Sequence, residues 1–173
     1  MAHRGLAMKL PIIMLLFASF NVVAGEVEVC KGEKNTRNFL SEWREGDRVT
    51  NILTTIQDTD ISRERGRIAY QADLNGDGNK DYIFESFDSQ GSAKDRTFGI
   101  FVQCKGFLQF VGGNYFAGVK EIGSINNSYR DVVFLSYQRD KSGEIIHADG
   151  QALIRSHVWS FNPGSGKYEG GID

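Results

Sequence analysis

The stretch Asp73–Asp81, DLNGDGNKD, puts three aspartates and two asparagines into nine residues. Counting Asp73 as position 1, side-chain oxygens fall at positions 1, 3, 5 and 9, from Asp73, Asn75, Asp77 and Asp81. That odd spacing in a tightly curled backbone turns them toward one centre, and Asn79 at position 7 can add its carbonyl. Gly76 and Gly78 allow so sharp a curl because they carry no Cβ. Carboxylates this close repel unless something positive sits among them. Several hard oxygens on a flexible loop suit Ca²⁺, whereas Mg²⁺ wants a small rigid octahedron and keeps its waters. The expected ligands are therefore Asp73, Asn75, Asp77, Asn79 and Asp81 around one structural Ca²⁺. With the sphere filled by the protein, the ion would clamp the loop and leave substrate no place.

The residues on either side decide the fold class. "RIAYQA" before the loop and "YIFESF" after it are rich in β-branched and aromatic residues and read as strands. Gly78 sits where an EF-hand loop has its glycine, but position 12 is Phe84, so the bidentate glutamate of that loop is missing. A D-x-[DN]-x-D-G-x-x-D loop between two strands resembles the calcium loops of FG-GAP and VCBS-type repeats, the blade units of integrin-α-like β-propellers. The resemblance covers Ile68–Phe87 closely and the remainder loosely. It implies a calcium loop and leaves function open.

Further strands are expected at Glu26–Lys31, Arg67–Ala72, Tyr82–Phe87, Thr97–Cys104, Phe107–Val111, Val132–Tyr137, Glu144–Ala148 and Ala152–Phe161, separated by Gly, Asn, Asp and Ser clusters. Twenty glycines against two prolines suit tight turns between strands. Asp149-Gly150 reads as a two-residue type I′ hairpin turn, which would set Glu144 opposite Arg155. One short helix is expected over residues 36–45, where Phe39, Leu40 and Trp43 share a face and Gly46 supplies a stop. The following residues, "RVTNILTTIQ", fit either period. Asp81–Ser86 and Asp131–Ser136 share the pattern D-[YV]-[IV]-F-x-S at an offset of fifty residues, the length of one four-stranded blade. The fold class expected is mainly β, with antiparallel sheets of propeller-blade or sandwich type and one short N-terminal helix.

At the start of the chain, Arg4 and Lys9 precede an apolar run from Leu10 to Phe20, and Val22–Gly25 ends in small residues. This is the layout of a secretory signal peptide over residues 1–24, and the apolar run is too short to span a bilayer. Residues 25–173 then form a single exported domain, expected in the periplasm. Losing Arg4 and Lys9 makes that domain more acidic than the −2 of the whole chain. It has no basic cluster, so neither nucleic acid nor an anionic membrane surface is expected as a partner. In an oxidising compartment Cys30 and Cys104 are expected to pair.

No catalytic constellation can be read. Nucleophile-elbow, H-E-x-x-H and paired-carboxylate patterns are absent. "PGSGKYEGG" at Pro163–Gly171 has Tyr168 where a phosphate-binding loop needs Ser or Thr, and reads as a hairpin turn. His147 and His157 fall on adjacent strands without pairing directly, which favours structural or surface roles. The chain therefore reads as a binding protein and not an enzyme. Its connections at Asp88–Arg96, Val111–Gly118 and Ile122–Arg130 carry the candidate partner residues Asn114, Tyr115, Phe116, Ser124, Asn126 and Asn127. Small exported proteins with one such loop resemble immunity proteins and periplasmic inhibitors of cell-wall hydrolases. That resemblance implies a protein partner, a peptidoglycan hydrolase or a secreted effector. A carbohydrate- or surface-adhesion module, or an unrecognised hydrolase, are the alternatives.

Overall fold

In strands β4 (Asp81–Gln90) and β5 (Arg96–Cys104) most of the described residues are buried and none is exposed, which marks strands covered on both faces. The computed structural model, which describes residues 29–31, 38–41, 50–54, 64–90, 94–104 and 107–171, shows what covers them. One face looks into a closed barrel and the other packs against a second sheet. Phe84, Phe101 and Leu108 form one cluster, whereas Ile83, Phe98, Ile100 and Val102 join another with Val132, Phe134, Trp159, Phe161 and Tyr168.

The barrel runs in chain order: β1 (Asn38–Ser41), β2 (Thr50–Thr54), β3 (Glu64–Ala72), β4, β5 and β6 (Phe107–Phe116). Antiparallel pairing of β1 with β6, Asn38 opposite Gln109 and Phe39 opposite Leu108, closes it. The second sheet has the order β12-β11-β8-β7, built from β7 (Gly118–Asn126), β8 (Tyr129–Tyr137), β11 (Ile154–Asn162) and β12 (Lys167–Glu169). Between β8 and β11 the chain makes a small ribbon of β9 (His147–Ala148) and β10 (Gln151–Ala152). Asp149 and Gly150 link them with φ of +52° and +77°, the type I′ turn that the Asp-Gly pair predicts.

The two layers meet through aromatic rings. Phe116 of β6 stacks on Phe134 of β8 at 4.0 Å between centroids, and Trp159 of β11 meets Phe116 edge-on at 5.3 Å. A disulfide joins Cys30 to Cys104 with 5.5 Å between Cα atoms, as the sequence leads one to expect.

The mainly β, antiparallel reading holds, and several details differ. Residues 38–41, expected within a helix, are strand β1, because long-range pairing with β2 and β6 outweighs a local spacing of apolar residues. The rest of that stretch lies outside the described residues, as do the expected leader, residues 1–24, and Glu26–Glu28. Val29–Lys31 is a single 3₁₀ turn and not the end of a strand. Six strands close on themselves, unlike the open blades of a propeller. Arg155 faces Ser136 of β8 and not Glu144, because the ribbon's pairing gives way at Leu153 to the β8–β11 ladder. Val111–Gly118, expected as a connection, is mostly strand β6.

Candidate functional site: the acidic loop and the polar cleft

The acidic loop joins β3 to β4, between strands as its flanks predict. Gly76 and Gly78 take φ of +74° and +85°, which L side chains rarely adopt. The loop folds onto its own carboxylates. Asp73 accepts from the Gly76 N–H at 2.7 Å and the Gly78 N–H at 3.0 Å, and Asp77 accepts from the Asn79 N–H at 2.7 Å and Asn75 Nδ2 at 3.1 Å. Asn75 Oδ1 accepts from the Asp77 N–H at 3.2 Å.

Asp81 differs from its neighbours in being fully buried. One oxygen accepts from the Leu74 N–H at 2.7 Å, which closes the loop, and the other from the Gln103 N–H of β5 at 2.8 Å. Burial pushes its carboxyl up to about 6, with a smaller push from the charges of Asp77 and Asp73, against the pull of both N–H groups.

The loop also fastens the two layers together. Leu74 is 1% exposed and packs in the core shared by barrel and sheet. Its carbonyl accepts from the Arg130 N–H of β8 at 2.7 Å, and the Arg130 carbonyl accepts from the Tyr168 hydroxyl of β12 at 2.7 Å. Burial and the nearby Asp81 charge push that hydroxyl's pKa well up. Beside it Tyr129 stacks on Phe161 at 3.7 Å.

Among the described residues no three Asp, Glu, His or Cys side chains are gathered as a metal cluster. The donor chemistry still suits a hard cation. Every group is an oxygen, and a carboxylate oxygen that accepts one N–H keeps a second lone pair for an ion.

The expected partner residues fall at two ends of β8. Ser124 and Asn126, at the end of β7, and Asn127, in the β7–β8 turn, are exposed, and Asn127 and Ser128 have φ of +49° and +66°. This turn adjoins the acidic loop through the Arg130–Leu74 bond. Asn114 and Tyr115 lie at the far end, and Tyr115 is 38% exposed. Phe116 is fully buried in the aromatic core, so it cannot anchor a partner and is corrected to a packing residue.

Around Asn114 and Tyr115 opens a polar cleft of about 570 Å³, also lined by Asp95, Ser136, Arg139, Arg155 and His157. The β8–β11 register explains it. Val132 opposes Trp159, Phe134 opposes His157 and Ser136 opposes Arg155, so a core-facing row passes from apolar to polar along the strands. Asp95 pairs with Arg139 at 2.7 Å, and Arg139 also donates to the Gly143 carbonyl at 3.0 Å. Asp95 Oδ1 and Ser136 Oγ are buried without a protein partner. The sequence carries a trace of this cleft, since Ser136 and His157 interrupt apolar alternation at inward positions. Asp95 and Arg139 leave no such trace, as distant segments bring them together. His147, by contrast, is exposed with Nδ1 at 2.9 Å from the Ile145 carbonyl.

Glu169, the last residue of β12, accepts from the Ser165 hydroxyl and from Asn162 Nδ2 at 2.8 Å, contacts that lower its pKa. Pro163–Gly166 forms the β11–β12 turn, as the glycine-rich reading expects. Comparison of the chain with family models, curated proteins and solved structures gives no significant match, so its relationships rest on these features alone.

Proposed function

We propose that the chain is an exported, calcium-stabilised binding domain that inhibits a cell-wall-degrading enzyme in the periplasm. The observation that carries the reading is the position of the acidic loop: it holds Asp73, Asn75, Asp77, Asn79 and Asp81 where Leu74 fastens barrel to sheet. A Ca²⁺ drawing those oxygens inward would fix the joint and relieve the repulsion around Asp81. The two four-stranded meanders, β3–β6 and β7-β8-β11-β12, are read as the units behind the fifty-residue echo. A rigid scaffold loses little freedom on docking, which favours tight binding through exposed turns. The partner surface is assigned to Asn114 and Tyr115 at one end of β8, or to Ser124, Asn126 and Asn127 at the other.

The ion is tested by thermal melts with excess calcium and with chelator. Free calcium at roughly 100 times its dissociation constant should add about 2.7 kcal/mol to stability, and chelation should remove it. Asp73→Ala and Asp77→Ala proteins should melt alike in both conditions. Identical melts of the parent with and without chelator would end the calcium reading. The partner is tested by capture from periplasmic extract, identification by mass spectrometry, and assay of the captured hydrolase on peptidoglycan. Added domain should suppress hydrolysis; full activity at saturating domain would overturn the inhibitor reading.

A further inference from the structure

Asn75-Gly76 is the one Asn-Gly pair in the chain, and it stands at the tip of the β3–β4 connection. An asparagine carries an electrophilic carboxamide carbon within reach of the next residue's backbone nitrogen. The two close a five-membered ring most readily where that next residue has no Cβ in the way. Gly76 is exposed, and a Cβ built on it would meet nothing within 4 Å, so no neighbouring group shields the pair on that side. What restrains it is the loop's own hydrogen bonding. The nucleophile, the Gly76 nitrogen, donates its proton to Asp73 Oδ1 at 2.7 Å. The electrophile is held at both ends by Asp77: Asn75 Oδ1 accepts from the Asp77 N–H at 3.2 Å, and Asn75 Nδ2 donates to Asp77 Oδ2 at 3.1 Å. The ring has no hydrogen on the Gly76 nitrogen and no Nδ2. The bonds to Asp73 Oδ1 and Asp77 Oδ2 are therefore both lost on the way to it.

We propose that Asn75 is a site of spontaneous deamidation that these contacts hold in check, so that it converts only as fast as the loop opens. The Gly76 nitrogen attacks Asn75 Cγ, the Cγ–Nδ2 bond breaks, and the proton from the Gly76 nitrogen leaves with Nδ2 as ammonia. Water then adds to one or other carbonyl of the succinimide, giving aspartate or isoaspartate at position 75. Either product adds a carboxylate beside those of Asp73 and Asp77. Isoaspartate also lengthens the backbone between Leu74 and Asp81, the two residues whose bond closes the loop. The inference rests on the Asn-Gly pair and its hydrogen bonds, and stands whether or not the loop holds calcium or the domain inhibits an enzyme.

The test is a timed incubation of the folded protein and of the same chain in urea, both with chelator at neutral pH, followed by peptide mass mapping. Asn127, exposed in the β7–β8 turn, serves as an internal clock. The unfolded chain should convert Asn75 ahead of Asn127, and the folded parent should convert Asn75 more slowly than the unfolded chain does. Folded Asp73→Ala protein, which loses two hydrogen bonds to a charged group, should convert Asn75 about tenfold faster than the parent with the Asn127 rate unchanged. Both rates rising together would mark an unfolded variant, and Asp77→Ala, which frees Asn75 Nδ2, then carries the same comparison. Parent converted at Asn75, separated by its added charge, should melt at a lower temperature than unconverted parent. An unfolded chain that leaves Asn75 intact would overturn the site. Folded parent converting as fast as the unfolded chain would overturn the restraint, and so would an Asp73→Ala protein converting more slowly, with the carboxylate then acting as a base.

Discussion

Asp81 concentrates the electrostatics of the fold in one side chain. Its two oxygens serve backbone donors from different segments, so Asp81→Ala would strand the Leu74 and Gln103 N–H groups in the interior. That loss is expected to cost roughly 3 kcal/mol or more, measured by denaturant unfolding. In chelated protein its raised pKa has a definite sign. The folded state holds this proton up to about pH 6, whereas an unfolded aspartate releases it near 3.8. The folded state therefore binds more protons between those limits, and stability contributed by Asp81 falls as pH rises through that window. The full difference amounts to roughly 3 kcal/mol. Saturating calcium should flatten the dependence by favouring the carboxylate. A chelated protein whose stability rises from pH 4 to 6, in a background corrected with Asp81→Asn, would contradict this account.

Among the elements, glycine has two meanings that the sequence does not separate. In the acidic loop it supplies turns, as read. In β6, Gly112 and Gly113 suggest a turn as well, yet they are strand residues at close approaches. A Cβ on Gly112 would stand 2.9 Å from the Tyr168 carbonyl oxygen, and one on Gly113 would overlap that of Phe98. Gly66 of β3 is a third case, where a Cβ would overlap the Glu85 carbonyl oxygen and the Phe84 ring inside the barrel. Gly66→Ala is expected to cost about 1–3 kcal/mol through overpacking, seen as a lower melting temperature with no loss of the β spectrum. Strands β4, β5 and β8 were legible because their apolar and β-branched runs reflect burial, and β3 and β11 because β-branched and aromatic residues recur in them even where they are exposed. β7 was not, since GVKEIGSIN is mostly turn-forming or exposed, and pairing with β8 alone makes it a strand. β1 hid behind an apolar spacing that also suits a helix. The loop's place between two strands and its glycine turns were legible from the spacing, but its fastening to Arg130 was not, because that contact joins residues far apart in the chain.

For the whole molecule, the Cys30–Cys104 bridge spans 74 positions and ties the segment before β1 to the end of β5. By the chain-entropy model its loss should cost roughly 4 kcal/mol, an upper figure that a melt of Cys30→Ser/Cys104→Ser protein would check. An unchanged melting temperature would mean that the barrel needs no covalent closure. The excursion over residues 138–153 is the other feature of this scale. It leaves β8 after Tyr137 and returns at Ile154, and these two residues already oppose each other in the ladder. The ribbon is thus an appendix to a hairpin that is complete without it. Evolution or an engineer could shorten, lengthen or swap it with the framework untouched, while Gln138, Arg139 and Ile146, carried on it, would be rewritten each time. The chemistry displayed at that end of the molecule is in this way uncoupled from foldability, and sequence variation is expected to gather there.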